Sequence, residues 1–334
     1  MGIYRCNKCG SVAEYPYQSG MASVACTKCG HANTVYDTVY FVQKLLERYF
    51  VAARELKALQ EADNGEENTS AGDQENTGGL LMDVDIRNTN VLAKAEQHFP
   101  LASWLAQHNV QAEFDYSSVD MSGYFDEAAQ SLGNLYTLTK DLLGRINWAY
   151  RNKHTGLNID LGKLSQKDAQ ALNNLCRQFY NHSLFAGYFY QKQEKIIRLK
   201  LQRASKIEHF FSGAWLEWFA LDQLLHQAKT KGSHYSFSCA RSVKLSFANE
   251  DMHELDVAWL PHNKLPIVVE CKSREFRRDI EKYIRLKKRL NLPASHFVIL
   301  VAELDDAQAT TMSSMYELSF LNMHNFIKHI DSLM

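Results

Sequence analysis

The sequence predicts a multidomain chain of α and α/β class: a small cysteine-rich module first, a helical middle region, and an α/β domain in the C-terminal third. Three observations predict it. Two Cys-x2-Cys pairs fall near the start of the chain, apolar residues recur at intervals of three and four through the middle, and from Ser205 onward a long helix gives way to β-rich runs around a charged helix. At 334 residues and 46% hydrophobic composition, the chain can bury the cores such an architecture needs.

The first element spans residues 1–36. Cys6 and Cys9 form one pair, Cys26 and Cys29 the other, with sixteen residues between them, and Gly10 and Gly30 follow the second cysteine of each pair. A tetrahedral Zn2+ ion takes four ligands, and each tight Cys-x2-Cys turn supplies two thiolates, so the spacing predicts a zinc ribbon. With all four positions filled by protein the metal is structural and performs no chemistry. His31 is a spectator in this reading. Seven cysteines are an odd count, which suits metal binding in a reducing compartment better than a disulfide framework. Cys176, Cys239 and Cys271 are expected to pack as small apolar residues.

Residues 37–62 follow as an amphipathic helix carrying Val42, Leu45, Leu46, Tyr49, Ala53, Leu56 and Leu59 at helical spacing. Glu61 to Gly79 is acidic and almost free of apolar side chains, so 63–79 reads as a disordered linker. Residues 80–206 read as mainly helical, with stripes Ala128, Leu132, Leu135, Leu138, Leu142 and Leu172, Leu175, Phe179, Leu184, Tyr188, broken at Gly144, Gly156 and Gly162. The run Lys192, Lys195, Arg198, Lys200, Arg203, Lys206 follows aromatic residues at Phe185, Tyr188, Phe189 and Tyr190. Stacking on single-stranded bases is one reading of those aromatics, and core packing is the favoured one.

The C-terminal domain, 207–334, opens with a helix over about Ser205 to Lys229. Strands are expected at Tyr235 to Phe247, Glu254 to Leu260, Leu265 to Lys272 and His296 to Ala302, with a helix from about Glu275 to Leu290. Residues two apart on a strand share a face, so Glu270 and Lys272 point the same way. For Asp256 to join them, opposed residues of the two strands must sum to 526, which centres the turn on Asn263. Two adjacent carboxylates need a cation between them, and hard oxygen ligands suit Mg2+ or Mn2+. Lys272 would then orient or deprotonate a water attacking a phosphodiester. Glu217 lies within the apolar stripe of the preceding helix, where a carboxylate needs a metal or a lysine as partner. His253 and His262 flank the hairpin and are expected to take surface or hydrogen-bonding roles.

Between Arg274 and Arg289 the charged helix carries Arg274, Arg278, Lys282 and Arg285 along one side, the pattern of a backbone-tracking nucleic-acid surface, with Glu275, Asp279 and Glu281 as local partners. Lysine and arginine number 37 against 38 acidic residues, so no global field draws the chain to nucleic acid and any attraction is local. The start MGIYRCNKCG has no apolar signal region and no stretch is long enough to cross a bilayer, which predicts a cytoplasmic protein without a membrane partner.

The order Glu217, Asp256, Glu270-Cys271-Lys272 resembles the PD-(D/E)xK nuclease superfamily. The wording LDVAWLPHNKLPIVVECKS looks most like the nuclease domain of CRISPR-associated effectors activated by cyclic oligoadenylates. The likeness covers about residues 207–303. It implies a restriction-endonuclease-like α/β fold in which Glu217, Asp256 and Glu270 are metal ligands, Lys272 is the catalytic lysine and Lys282 is an accessory group near the phosphate. It further implies a metal-dependent endonuclease, with DNA favoured as substrate, and a role in prokaryotic defence against mobile elements. Residues 1–206 lack the strand and helix alternation of the nucleotide-sensing domain those effectors carry. The zinc ribbon and helical region are instead expected to serve recognition, a protein partner or a homo-oligomer. The alternative from another class is a non-catalytic module that binds nucleic acid or a partner on a nuclease fold.

Overall fold

The computed structural model describes residues 2–6, 8–16, 23–39, 42, 80–82, 92, 95–114, 124–232, 234–247, 252–273 and 275–334. The expected helix over 37–62 lies mostly outside the described residues, and the expected linker lies wholly outside them. The chain divides into two compact units, Met1–Gln74 and Glu75–Met334.

In the first unit, strands β1 (Gly2–Arg5), β2 (Val12–Tyr15) and β5 (Tyr36–Asp37) form a small sheet with β1 in the middle, and β3 (Val24–Ala25) pairs with β4 (Ala32–Asn33). Among its described residues the core consists of Tyr4, Cys6, Cys26 and Val35, all buried. Four such side chains are too few to hold a fold alone, as expected for a module of this size.

The second unit runs α1 (Ala95–Gln107), β6 (Gln111–Glu113), α2 (Tyr124–Asn134), α3 (Tyr136–Arg151), β7 (Gly156–Asp160), α4 (Gln166–Asn181), β8 (Phe185–Gln191) and β9 (Ile196–Leu201). It continues through a short helix α5 (Ser205–His209), a π-helical segment (Phe210–Ala214), α6 (Trp215–Thr230), β10 (Phe237–Ser246), β11 (His253–Pro261), β12 (Ile267–Lys272), α7 (Ile280–Arg289), β13 (Phe297–Val301), α8 (Asp306–Tyr316), β14 (Ser319–Leu321) and α9 (Met323–Leu333). Six strands form one mixed sheet in the order β14-β13-β12-β11-β10-β6, parallel from β12 to β14 and antiparallel elsewhere.

Its central strands are apolar on both faces because both are covered. Val257, Trp259, Ile267, Val269, Val298 and Leu300 join one apolar layer with α6 and α9. Ala258, Leu260, Val268, Phe297, Ile299 and Val301 join the other, with α1, α7 and α8. Parallel pairing of β12 with β13 requires a crossover, and α7 supplies it. None of the described helices is long and apolar enough to cross a membrane.

The middle region departs from its mainly helical reading. Strands β7, β9 and β8 make a three-stranded antiparallel sheet, and β6 pairs with β10 of the large sheet. The stripe through Leu172, Leu175 and Phe179 is helical, but α4 ends at Asn181, Ser183 takes a left-handed φ of 58°, and Tyr188 lies on a strand. The basic run has period two: Ile197, Leu199 and Leu201 are buried while Arg198 and Lys200 are exposed. Gly144 sits inside α3 rather than at a break, and Gly156 opens β7. One apolar cluster runs from α2 through the small sheet to α6, so residues on both sides of position 206 share a core.

Candidate active site and metal centre

The β11–β12 hairpin sets the position of three of the four predicted site residues. Val257 pairs with Val269, Ala258 with Val268 and Trp259 with Ile267, each pair summing to 526, and Asn263 takes φ 55° in the turn between them. Asp256, Glu270 and Lys272 therefore fall beside one another where the pairing ends. The Asp256 Oδ2 atom accepts the backbone N–H of Cys271 at 2.7 Å. The Lys272 Nζ atom is 3.9 Å from Asp256 Oδ2 and 3.9 Å from Glu270 Oε2.

Glu270 is 2% exposed, and its Oε1 atom is buried without a hydrogen-bond partner. Burial first, and then the neighbouring Asp256 charge, pushes its carboxyl well above the usual range. An orphaned carboxylate oxygen beside a second carboxylate is the feature a bound cation would satisfy. From α7, Tyr283 faces the same group, with the Lys272 ammonium 5.5 Å from its ring centroid. Burial raises Asp256 too, against the opposing pull of Lys272 and of the Cys271 N–H.

Glu217 arrives from the other layer. The chain kinks at Gly213, where added side-chain bulk would meet Ser273 Oγ at 3.7 Å, so α6 starts beside the end of β12. Glu217 occupies the first turn of α6, where the helix dipole favours a carboxylate. Ser242 Oγ donates to its Oε2 atom at 3.4 Å. Burial, and then the charge of Asp256, pushes Glu217 up to about 8, opposed by Arg241. The Arg241 guanidinium stacks on Trp218, 3.2 Å from the ring centroid.

Lys272 thus contacts both Asp256 and Glu270, and the charge of Asp256 acts on Glu270 and on Glu217. Among the described residues, Cys6, Cys9, Cys26 and Cys29 are the one set of three or more His, Cys, Asp or Glu side chains gathered closely enough to share an ion. Of the basic residues, Lys282 is half-buried and its charge acts on Asp256 and Glu270. Arg278 and Arg285 are exposed, the latter 3.9 Å from Glu281, and Arg274 lies outside the described residues. His262 is tied to Ser236 in the turn, and His253 packs its ring edge-on against Phe247.

Three site neighbours escape sequence reading. Tyr283 lies in the apolar stripe Ile280, Tyr283, Leu286 of α7 and reads as core. Arg241 and Ser242 sit in an ordinary strand run. Ser242 carries a left-handed φ of 52° inside β10, and the flanking pairs Arg241–Val257 and Val243–Leu255 put it opposite Asp256.

In the first unit the four thiols meet with all sulfur atoms within 4.8 Å of one another. Cys6 Sγ lies 3.4 Å from Cys29 Sγ, and Cys9 Sγ lies 3.6 Å from Cys26 Sγ. A tetrahedral Zn–S site with bonds of about 2.3 Å sets its sulfurs roughly 3.8 Å apart, so the donor set fits zinc. Both turns are built alike: Gly10 N–H bonds Cys6 O and Gly30 N–H bonds Cys26 O, with φ of 73° and 71° that glycine adopts without strain. His31 is exposed and lies outside the cluster.

No protein-family model matches the chain, and no curated protein matches it. Among solved structures, protein VC1899 from Vibrio cholerae is similar at 17% identity and a TM-score of 0.46, over 70% of this chain and 59% of that one. Can2 from Sulfobacillus thermosulfidooxidans, solved in complex with cyclic tetra-adenylate, is similar at 17% identity and a TM-score of 0.48, over 70% of this chain and 60% of that one. The matches therefore span 59% and 60% of the length of those two chains.

Proposed function

We propose that this chain is a metal-dependent nuclease of the PD-(D/E)xK type, hydrolysing phosphodiester bonds of nucleic acid, with DNA the favoured substrate. The observation that carries the reading is the Lys272 ammonium 3.9 Å from both Asp256 and Glu270, beside a buried Glu270 oxygen that lacks a partner. Asp256 and Glu270 would hold Mg2+ or Mn2+, with Glu217 completing the acidic side. When bound, such an ion polarises the phosphoryl oxygen and neutralises developing charge.

The chain's own groups do the rest. Asp256 is held by the Cys271 N–H, so its second oxygen is free to face the ion. Lys272, oriented by two carboxylates and Tyr283, positions the attacking water and faces the charge that grows on the phosphate. Lys282 adds a second positive charge behind it, and Arg278 and Arg285 contact the nucleic-acid backbone. The four ribbon cysteines hold one structural Zn2+, which serves folding and leaves the ribbon surface for recognition, a protein partner or a second copy of the chain. A place in defence against mobile elements rests on the sequence resemblance alone.

The competing reading, a binding module that does not cut, is favoured by one observation: the three carboxylates do not meet as a closed ligand set. The experiment that decides incubates purified protein with single- and double-stranded DNA and RNA, with Mg2+, Mn2+ or neither, beside Asp256→Asn and Lys272→Ala. Metal-dependent cleavage lost in both variants establishes the nuclease. Binding without cleavage under every condition establishes the module.

A further inference from the structure

In the small antiparallel sheet of the second unit, β9 lies between β7 and β8, and only one face is buried. Ile159, Ile197, Leu199 and Leu201 point into the core. On the other face the register sets Phe189 beside Arg198 and Asn158 in one row, and Gly187 beside Lys200 and Gly156 in the next. Phe189 is 61% exposed, although its neighbours Tyr188 and Tyr190 both pack against the core. Alternation along the strand fixes this outcome: with Tyr188 turned inward, Phe189 is turned out.

The surroundings of that ring are basic. From Gln191 to Arg203 the chain carries Lys192, Lys195, Arg198, Lys200 and Arg203 against the single acid Glu194. Arg198 is held across the sheet by Gln191, whose Oε1 atom accepts its Nε at 3.3 Å and its Nη2 at 3.0 Å, and by Glu194 Oε2 3.9 Å from the same Nη2, so the guanidinium is set in place next to Phe189. Gly187 and Gly156 flank Lys200 with no side chains, and bulk added at Gly187 would come within 3.2 Å of the Lys200 Cβ atom. The row beside the aromatic ring is therefore low and open, with a cation at its centre.

We infer that this face binds single-stranded nucleic acid, with a base stacked on Phe189 and the flanking phosphates met by Arg198 and Lys200. A ring on a flat sheet offers a stacking surface to an unpaired base, whereas bases of a duplex are already stacked on one another. A protein partner fits less well, because interface cores need a contiguous apolar patch and this face offers one ring among cations and glycines. As a substrate assignment the inference rests on the nuclease reading; as a binding surface it is measurable without cleavage.

The test is fluorescence anisotropy of labelled oligothymidylate, oligouridylate and a duplex of mixed sequence, titrated with the full chain in buffer without added divalent metal. The wild type is expected to bind both single strands more tightly than the duplex, with affinity falling as salt rises. Phe189→Ala should weaken single-strand binding about tenfold, the loss of one base stack, and Phe189→Tyr should restore most of it. Arg198→Ala with Lys200→Ala should flatten the salt dependence by about two phosphate contacts. These side chains are exposed, so melting curves should match the wild type and exclude misfolding. Unchanged binding in Phe189→Ala, equal affinity for duplex, or no binding of single strands at all would each overturn the inference. The two readings fail separately: stacking without cleavage by any metal sinks the nuclease, and cleavage with Phe189→Ala binding unchanged sinks the platform.

Discussion

The Ser242 hydroxyl donates to Glu217 Oε2 at 3.4 Å from a backbone position with φ 52°, opposite Asp256 on the next strand. A left-handed serine inside a strand is costly by about 1–2 kcal/mol, and such outliers gather where side-chain aim matters more than backbone comfort. Ser242→Gly should therefore melt no lower than the wild type, while Ser242→Val, β-branched and ill-suited to positive φ, should lose roughly 2 kcal/mol. Both remove the donor that orients Glu217, and each should weaken Mn2+ binding and cleavage about tenfold or more. Thermal melts and a Mn2+ titration check this. Full metal affinity in Ser242→Gly would remove Ser242 from the site.

Crowded, dry carboxylates that serve a cation should destabilise the protein without one. Glu270→Gln removes a buried charge beside Asp256 while keeping the shape, so the metal-free variant is expected to melt higher than the wild type. The same variant should show no stabilisation by Mn2+, whereas the wild type should gain stability as the ion is added. A wild type that is insensitive to Mn2+ at every concentration would contradict the metal site.

Much of this arrangement was legible before the fold. The parity of Asp256, Glu270 and Lys272 fixed the hairpin register, because a one-residue slip would turn every side chain to the other layer. The four expected strands of the C-terminal third appear within two residues of their expected ends for the same reason: runs such as Ile267–Val269 leave little choice. The small sheet was not legible. Two of its strands, β8 and β9, follow a helix whose apolar spacing runs on by chance through Leu184 and Tyr188, so period alone carried the helix past the left-handed turn at Ser183. Ser242 and Arg241 were hidden because their role comes from a strand neighbour and from a distant helix, neither of which leaves a local pattern.

Packing between α2 and α6 offers a check on the second unit as a whole. A Cβ atom placed on Gly133 would lie 2.2 Å from the Phe219 ring, so glycine is there to let the helices approach. Gly133→Ala is expected to lose about 1–3 kcal/mol through this overlap, despite alanine's better helix propensity. Denaturant unfolding measures it. A gain in stability would mean that the two helices sit further apart than described.

His98 supplies a pH dependence that is independent of Glu217, Asp256 and Glu270. Burial lowers its pKa from 6.5 to about 4, and its ring stacks on Phe114 at 4.5 Å between centroids. The folded protein keeps this imidazole neutral while the unfolded chain takes up a proton below pH 6.5, so stability present above that value is lost as pH falls toward 4. His98→Gln keeps a donor near the Cys239 carbonyl but cannot titrate there. Its melting temperature should therefore fall less than that of the wild type over the same interval. Parallel decline in both proteins would place the charge change elsewhere.

For the four-cysteine cluster, the expected outcome is one zinc per chain by elemental analysis. Cys6→Ser with Cys29→Ser takes one thiol from each Cys-x2-Cys turn and removes one of the two close sulfur pairs, leaving two thiols that cannot hold a tetrahedral ion. Among the described residues of that unit, Tyr4, Cys6, Cys26 and Val35 form the buried core, and two of the four are themselves ligands in this reading, so metal loss should unfold this part. Limited proteolysis then cuts within residues 1–37 in the double variant or after strong chelation, while the unit from Glu75 onward stays resistant. Resistance of both units in metal-depleted protein would show that the cysteines pack as small apolar side chains and bind nothing.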